Sequence, residues 1–142
     1  MKLSCGFLIV HEDKLLLCHV TQSNPSRWDI PKGEKEANES DIQCAIRELK
    51  EETGLTVLPN QVYDLGMFDY LPNKQLHLFK CNMDTLVDVK TLDCSSMFTR
   101  YSKLFKEVDD YKLIPMRELE AYASKSLYTC LAKTNLFLET YL

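Results

Sequence analysis

Arg47, Glu48, Glu51 and Glu52 crowd the end of a segment with helical periodicity. At about 100° per residue, Glu48, Glu51 and Glu52 fall within roughly a 100° arc of one helix face. Three like charges repel one another there, and the C-terminal end of a helix disfavours anions through its macrodipole. Local electrostatics is therefore unfavourable on two counts. A hard divalent cation with oxygen ligands would offset both. On these residues alone, a solvated acidic face remains the plain alternative.

The segment that carries them is legible. Ile42, Ala45, Ile46 and Leu49 stand at i, i+3, i+4 and i+7, the apolar stripe of an amphipathic helix. Ser40 and Gln43 fit a capping box, and Gly54 suits a left-handed stop. The spacing predicts a helix over 41–52. Before it, apolar runs at 3–10 and 14–20 read as two strands joined at His11-Glu12-Asp13. Residues 21–27 read as a loop, and Trp28–Pro31 as a short extended segment, since Pro31 disfavours helix before it. Beyond Pro59, 62–71 and 75–82 read as strands joined around Pro72-Asn73. A strand is expected at 85–98, and 99–110 is ambiguous. Tyr111–Ile114 reads as a strand closed by Pro115. Helices are expected over 116–123 and 124–141, the second with Leu127, Leu131, Leu138 and Leu142 on or near one face. Strands, a helix, strands and then helices indicate a mixed α/β domain.

The acidic cluster also belongs to a longer pattern. Gly33, Glu39 and then Arg47-Glu48-Leu49-Lys50-Glu51-Glu52-Thr53-Gly54-Leu55 match G-x5-E-x7-R-E-U-x-E-E-x-G-U at every defined position, U being aliphatic. By average residue usage, a chance match in a chain of this length has a probability on the order of 10⁻⁷. That pattern is the Nudix box, so the sequence resembles the Nudix hydrolase family, with the box at 33–55 and one domain expected over 1–142. The resemblance implies an α/β/α sandwich around a mixed sheet, with the box as a loop–helix–loop. It implies hydrolysis of a nucleoside diphosphate linked to another moiety, using Mg²⁺ or Mn²⁺. Glu48, Glu51 and Glu52 resemble the metal-binding carboxylates, and the Gly33 position often adds a backbone carbonyl. Arg47 resembles the arginine that orients a box glutamate, and Glu39 a supporting polar residue beside it. Phosphoryl transfer needs mainly positioning and charge neutralisation, so few further catalytic groups are expected.

Two flanking segments narrow the resemblance. Arg27-Trp28-Asp29-Ile30-Pro31-Lys32-Gly33 is similar to the W-x-x-P-K-G approach of family members that cleave diadenosine polyphosphates and diphosphoinositol polyphosphates. Glu107-Val108-Asp109-Asp110-Tyr111-Lys112 resembles their E-x-x-x-Y-[RK] segment, although Leu113 stands where the family has Trp and the stretch 85–106 is longer than usual. The likeness implies Glu107 as a metal ligand or base, Tyr111 as a residue that stacks on a nucleobase, and Lys32 as a phosphate contact. Trp28 is expected either to pack on the core or to stack on ligand, and Lys35 is a weaker phosphate candidate. His77, in an apolar strand pattern, reads as structural.

Composition bounds the rest. With 142 residues, 45% hydrophobic and 27% charged, the chain has the size and make-up of one soluble globular domain. A net charge of −4 argues against a sequence-independent nucleic-acid binder, and no binding of duplex DNA is expected. No apolar run approaches the roughly 18 residues a membrane span needs, and no signal-peptide pattern opens the chain, so a cytoplasmic location is expected. Six cysteines without a CxxC pair, and three histidines at no zinc spacing, read as reduced buried thiols and not as a zinc site. Dinucleoside polyphosphates are the first substrate expectation. ADP-ribose and other nucleotide sugars, nucleoside triphosphates and RNA 5′ ends stay open as partners, as does a homodimer. The alternative of another class is a Nudix module that senses a nucleotide without cleaving it. Three aligned glutamates against the helix dipole weigh against that alternative, because a binder has no use for them.

Overall fold

The computed structural model describes residues 1–134. Its strands are β1 (Lys2–His11), β2 (Lys14–Val20), β3 (Trp28–Asp29), β4 (Lys32–Glu34), β5 (Tyr63–Leu71), β6 (Lys74–Asn82), β7 (Met97–Arg100), β8 (Lys103–Lys106) and β9 (Val108–Pro115). Its helices are α1 (Asp41–Thr53), α2 (Leu119–Tyr122) and α3 (Lys125–Ala132). Seven strands form one mixed sheet in the order β3-β2-β1-β6-β5, with β4 added along β1 and β9 along β2. β1 and β6 run parallel from Lys2↔Lys74 to Val10↔Asn82, and the other pairings are antiparallel.

Alternation along β1 builds two cores. Cys5, Phe7 and Ile9 face α1, where they meet Cys44, Ala45 and Leu49. Leu8 and Val10 face the other side, where they meet Leu127 and Leu131 of α3. A strand covered on both faces must be apolar at every position, which is why 3–10 reads as a continuous hydrophobic run. The result is the expected α/β/α sandwich. All six cysteines are free and buried in it. Among the described residues, no helix is long and apolar enough to cross a membrane.

The site grows from a split in this sheet. β1 and β2 pair only near their shared turn, at Val10↔Leu15 and His11↔Lys14. They then part, and the segment 28–34 fills the gap. Trp28 and Asp29 pair with β2, Pro31 accepts from the Phe7 amide at 3.0 Å, and Lys32–Glu34 pair with β1. Lys32 and Gly33 thereby come to lie beside α1. The helix begins as expected: Ser40 Oγ accepts from the Gln43 amide at 3.2 Å and Gln43 Oε1 from the Ser40 amide at 2.8 Å. It stops at Gly54, which adopts φ 81°.

The expected strand at 85–98 is not formed. A turn of 3₁₀ helix at Val89–Thr91 and an irregular segment occupy most of it, and strand begins only at Met97, as one arm of a β7–β8 hairpin. The cause is tertiary. The Asp93 amide donates to the Thr53 carbonyl at 3.1 Å and the Ser95 amide to the Glu51 carbonyl at 2.7 Å. This segment thus satisfies the carbonyls that the end of α1 leaves unpaired, and extended pairing would forgo those bonds. The ambiguous 99–110 resolves into the rest of the hairpin and the start of β9. The helix expected over 116–123 is a 3₁₀ turn (Met116–Glu118) followed by α2, and the one expected over 124–141 is α3. Residues 135–141 of that expectation, Leu138 among them, lie outside the described residues, as does Leu142.

His77 is structural in a specific way. Its Nδ1 lies 2.7 Å from Asp41 Oδ2 and its Nε2 2.7 Å from Asp64 Oδ1, so β6 is tied to both α1 and β5. Burial opposes the imidazolium, but the hydrogen bonds to Asp41 and Asp64 outweigh it and raise the pKa above the ordinary value. A raised folded pKa means that this stabilisation is full below about pH 6.5 and is lost as pH rises through the folded value. His77→Gln is expected to destabilise by about 1 kcal/mol at pH 6. Its difference from the wild type should shrink at pH 9, read from urea denaturation at both pH values. An equal difference at both would mean that the imidazole contributes only neutral hydrogen bonds.

Candidate active site

Arg47 organises the box. Its Nε donates to Glu39 Oε2 at 3.0 Å and its Nη2 to Glu39 Oε1 at 2.8 Å, a two-point pairing that only a guanidinium makes. Nη1 donates to Glu48 Oε1 at 2.8 Å and lies 3.3 Å from Glu51 Oε2. The Arg47 side chain holds the carboxyl of Glu39 down at about 2. Glu39 thereby anchors the arginine.

Glu48 and Glu52 differ from their neighbours in burial, each being 8% exposed. Burial raises the pKa of Glu48 even though Arg47 opposes the rise. Glu52 is pushed up to about 9, by burial first and by the charge of Glu48 second, while Lys32 pulls the other way. Gly33 sits against this pair. A Cβ built there would fall inside the Glu48 carboxylate. The last turn of α1 escapes its dipole problem through its capped carbonyls: besides Asp93 and Ser95, the Tyr111 hydroxyl donates to the Glu52 carbonyl at 2.6 Å.

A cleft of about 360 Å³ opens beside these groups. Glu52 and Lys32 line one side, and Glu107 and Phe98 are brought to it by the 96–108 segment. Ser96 fixes Glu107: its hydroxyl donates to Glu107 Oε2 at 3.2 Å, and its carbonyl accepts from the Glu107 amide at 3.0 Å. Glu107 also lies near enough to raise the pKa of Glu48 by its charge. The structure thus brings Lys32, Glu52 and Glu107 to one cleft, with Arg47, Glu48 and Gly33 directly behind it. Glu51 is further out, its side chain 37% exposed.

Two expectations are corrected. Tyr111 does not line the cleft. Its ring packs among Cys18, Cys94 and Val108, and its hydroxyl is committed to the end of α1, so it supports Glu52 from behind. Trp28 likewise does not line the cleft. It packs on the α3-side core and stands 5.0 Å from His19 at 58°, with Lys112 Nζ 5.0 Å from its ring centre. Lys35 pairs with Asp41 at 2.8 Å, away from the cleft. Among the cleft residues not singled out from the sequence are Asp29, which pairs with Lys32 at 3.3 Å, Thr21, Phe98 and the two arginines Arg27 and Arg100. No local signal marks the arginines, because each enters the cleft from a different segment, Arg27 from the loop before β3 and Arg100 from the end of β7.

The donor set suits a hard divalent cation: carboxylate oxygens, two of them buried and crowded enough to resist full ionisation, beside a glycine that leaves room for them. As placed, Glu39, Glu48 and Glu51 turn to Arg47, and Glu52 to the Lys32 backbone. Among the described residues, no three His, Cys, Asp or Glu side chains are gathered closely enough to hold an ion.

Comparison with known proteins agrees with this geometry. The NUDIX domain family model matches residues 2–132. A 17.7 kDa protein of the e-segB intergenic region of Enterobacteria phage T4 is 35% identical over 145 residues, covering 95% of both chains. The mRNA-decapping protein g5R of African swine fever virus is 38% identical over 72 residues, a match that covers 45% of this chain and 29% of that protein. Among solved structures, a C. elegans Ap4A hydrolase in a binary complex superposes with a TM-score of 0.71 over 98% of each chain, at 20% identity, a likeness of fold. A family model spanning nearly the whole described chain, and a phage relative alike from end to end, leave one assignment: the chain belongs to the Nudix family and is a Nudix pyrophosphohydrolase.

Proposed function

We propose that the chain hydrolyses a phosphoanhydride bond in 5′–5′ dinucleoside polyphosphates. The observation that carries this reading is the cleft itself, in which carboxylates for metal and proton work share one cavity with Lys32, Arg27, Arg100 and the ring of Phe98. Carboxylates alone would suit any diphosphate. Three cations along one cavity suit a longer phosphate chain, and an aromatic ring suits a nucleobase at its end.

Glu48, Glu51, Glu52, the Gly33 carbonyl and Glu107 are the residues that would hold Mg²⁺ or Mn²⁺. Bound there, the ions would neutralise the phosphate chain and activate the attacking water. Arg47 keeps Glu48 and Glu51 oriented. Lys32, kept charged by Asp29 and Tyr70 despite its burial, binds phosphate oxygens at the box side of the cleft. Ser96 occupies one oxygen of Glu107, which leaves the other to take the proton of the attacking water.

A second reading is favoured by the decapping relative. A capped RNA end is a 5′–5′ dinucleoside triphosphate with a chain attached, so the same cleft and the same bond serve it. The test is product analysis after incubation with Mg²⁺ at about pH 8.5, where a water or base is deprotonated. The panel holds diadenosine tetraphosphate, a short capped RNA, ADP-ribose and ATP. Cleavage of the dinucleoside compound ahead of ADP-ribose and ATP is expected. Preference for the capped RNA selects the second reading. Binding without cleavage of any would establish a sensing module and overturn both.

A further inference from the structure

We propose that Arg27 and Arg100 form a neck through which the phosphate chain passes into a second groove, and that this groove holds the distal nucleoside of the substrate. The inference rests on the dinucleoside polyphosphate reading above. A groove of about 590 Å³ adjoins the cleft and shares with it Val20, Thr21, Arg27 and Arg100. Its walls are the Gln22–Ser26 loop on one side and the Ala121–Ser124 segment on the other. The two arginines come from separate elements, Arg27 from the loop before β3 and Arg100 from the tip of β7, and both line both cavities.

Three observations point to a phosphorylated ligand at the neck. Neither arginine has a carboxylate partner among the described residues, although Lys32, Lys35, Lys106 and Arg47 all do. In a chain of net charge −4, two guanidiniums without a carboxylate partner, in a groove whose lining holds no acidic residue, are a local excess of positive charge; among the described residues the Arg100 guanidinium meets only the Tyr101 ring, 5.4 Å away. Guanidiniums bind phosphate oxygens at two points, and a pair from separate elements lining one passage can hold a phosphate chain there. The second observation is Thr21, which lines both cavities and whose Oγ1 is buried with no hydrogen-bond partner. An orphan hydroxyl in such a place is a donor awaiting an acceptor. The third is the character of the groove: its loop wall is built of Gln22, Ser23, Asn24 and Ser26, and Tyr122 stands opposite. Amides and hydroxyls beside one aromatic ring suit a ribose and a base better than an apolar partner. A substrate with a nucleoside at each end needs two such places, and the catalytic cleft provides one.

The test uses two uncleavable probes, methylene-bridged diadenosine tetraphosphate and methylene-bridged ATP, titrated calorimetrically in Mg²⁺. Arg27→Gln with Arg100→Gln is expected to weaken the dinucleoside probe by roughly 10- to 100-fold, the worth of lost hydrogen bonds to charged groups. Ala121→Trp, which fills the groove from its exposed wall, is expected to weaken the dinucleoside probe at least tenfold and leave the ATP probe within about twofold. Ala121→Leu serves if the larger side chain disturbs folding, with a smaller loss in the same direction. Equal binding of both probes by wild type and Ala121 variants overturns the groove, and unchanged binding by the double arginine variant overturns the neck. Turnover by the wild type keeps the two levels apart. A wild type that cleaves diadenosine tetraphosphate while the variants bind it unchanged removes only this proposal. A wild type that cleaves no dinucleoside polyphosphate removes the substrate reading as well.

Discussion

Glu52→Gln is expected to lower turnover by roughly 10³-fold or more while making the metal-free protein more stable at alkaline pH. The first effect follows from the proposed role. A ligand removed from a catalytic ion withdraws several kcal/mol of charge stabilisation, and each 1.36 kcal/mol is a factor of about ten. The second follows from burial. With its carboxyl pushed up to about 9 in the folded chain, Glu52 keeps a proton that the unfolded chain has lost above about pH 4.5. Its contribution to stability is therefore full below the unfolded pKa and is lost as pH rises through the folded one. Glutamine has the same shape and no charge to bury. Urea denaturation in chelator should show variant and wild type nearly alike near pH 5, and the variant ahead by several kcal/mol, on the order of 5, at pH 9. Normal turnover by the variant would take Glu52 out of the reaction. Equal stability at both pH values would take it out of the low-dielectric environment assigned to it.

The same argument links the ion to the proton. A cation at Glu52 must displace the proton that the metal-free carboxyl carries, so affinity for Mg²⁺ rises with pH below about 9. Burial thus makes the site reluctant to ionise without its ion.

What could be read from the sequence was what is specified locally. The box helix announces itself by its period, by Ser40 and Gln43 at its start and by Gly54 at its end, and each of these acts within a few residues of itself. The two β1 and β2 runs are legible because strands covered on both faces admit few polar residues. The failures have a common cause. Residues 85–96 are β-branched and polar enough to pass for a strand, but Asp93 and Ser95 are held by carbonyls at the end of α1, some forty residues earlier. Trp28 and Tyr111 carry rings that suit either a nucleobase or a core. Only the committed hydroxyl of Tyr111 and the packed face of Trp28 decide between the two uses. Arg27 and Arg100 are invisible for the complementary reason: a lone arginine in a polar loop is ordinary until another segment faces it across a cavity.

Gly33→Ala is the sharpest test of how the box is packed. Glycine here is not required by its backbone, since the glycines with positive φ are Gly54 and Gly66. It is required by proximity. β4 pairs Gly33 with Cys5 on β1, and this register lays the Gly33 Cα against the Glu48 carboxyl group. A methyl group cannot share that space, so Glu48 must leave its 2.8 Å contact with Arg47 or β4 must move off β1. Either shift displaces a proposed metal ligand, and turnover is expected to fall by roughly 10²-fold or more. Stability should fall by about 1–2 kcal/mol through overpacking and the lost ion-pair contact. The cause is separable by a double-mutant cycle. In a Glu48→Ala background the obstructing atoms are gone, and Gly33→Ala should then cost almost no stability. A cost that persists in that background would place the need for glycine in the β1–β4 pairing instead of in the carboxylate it shelters.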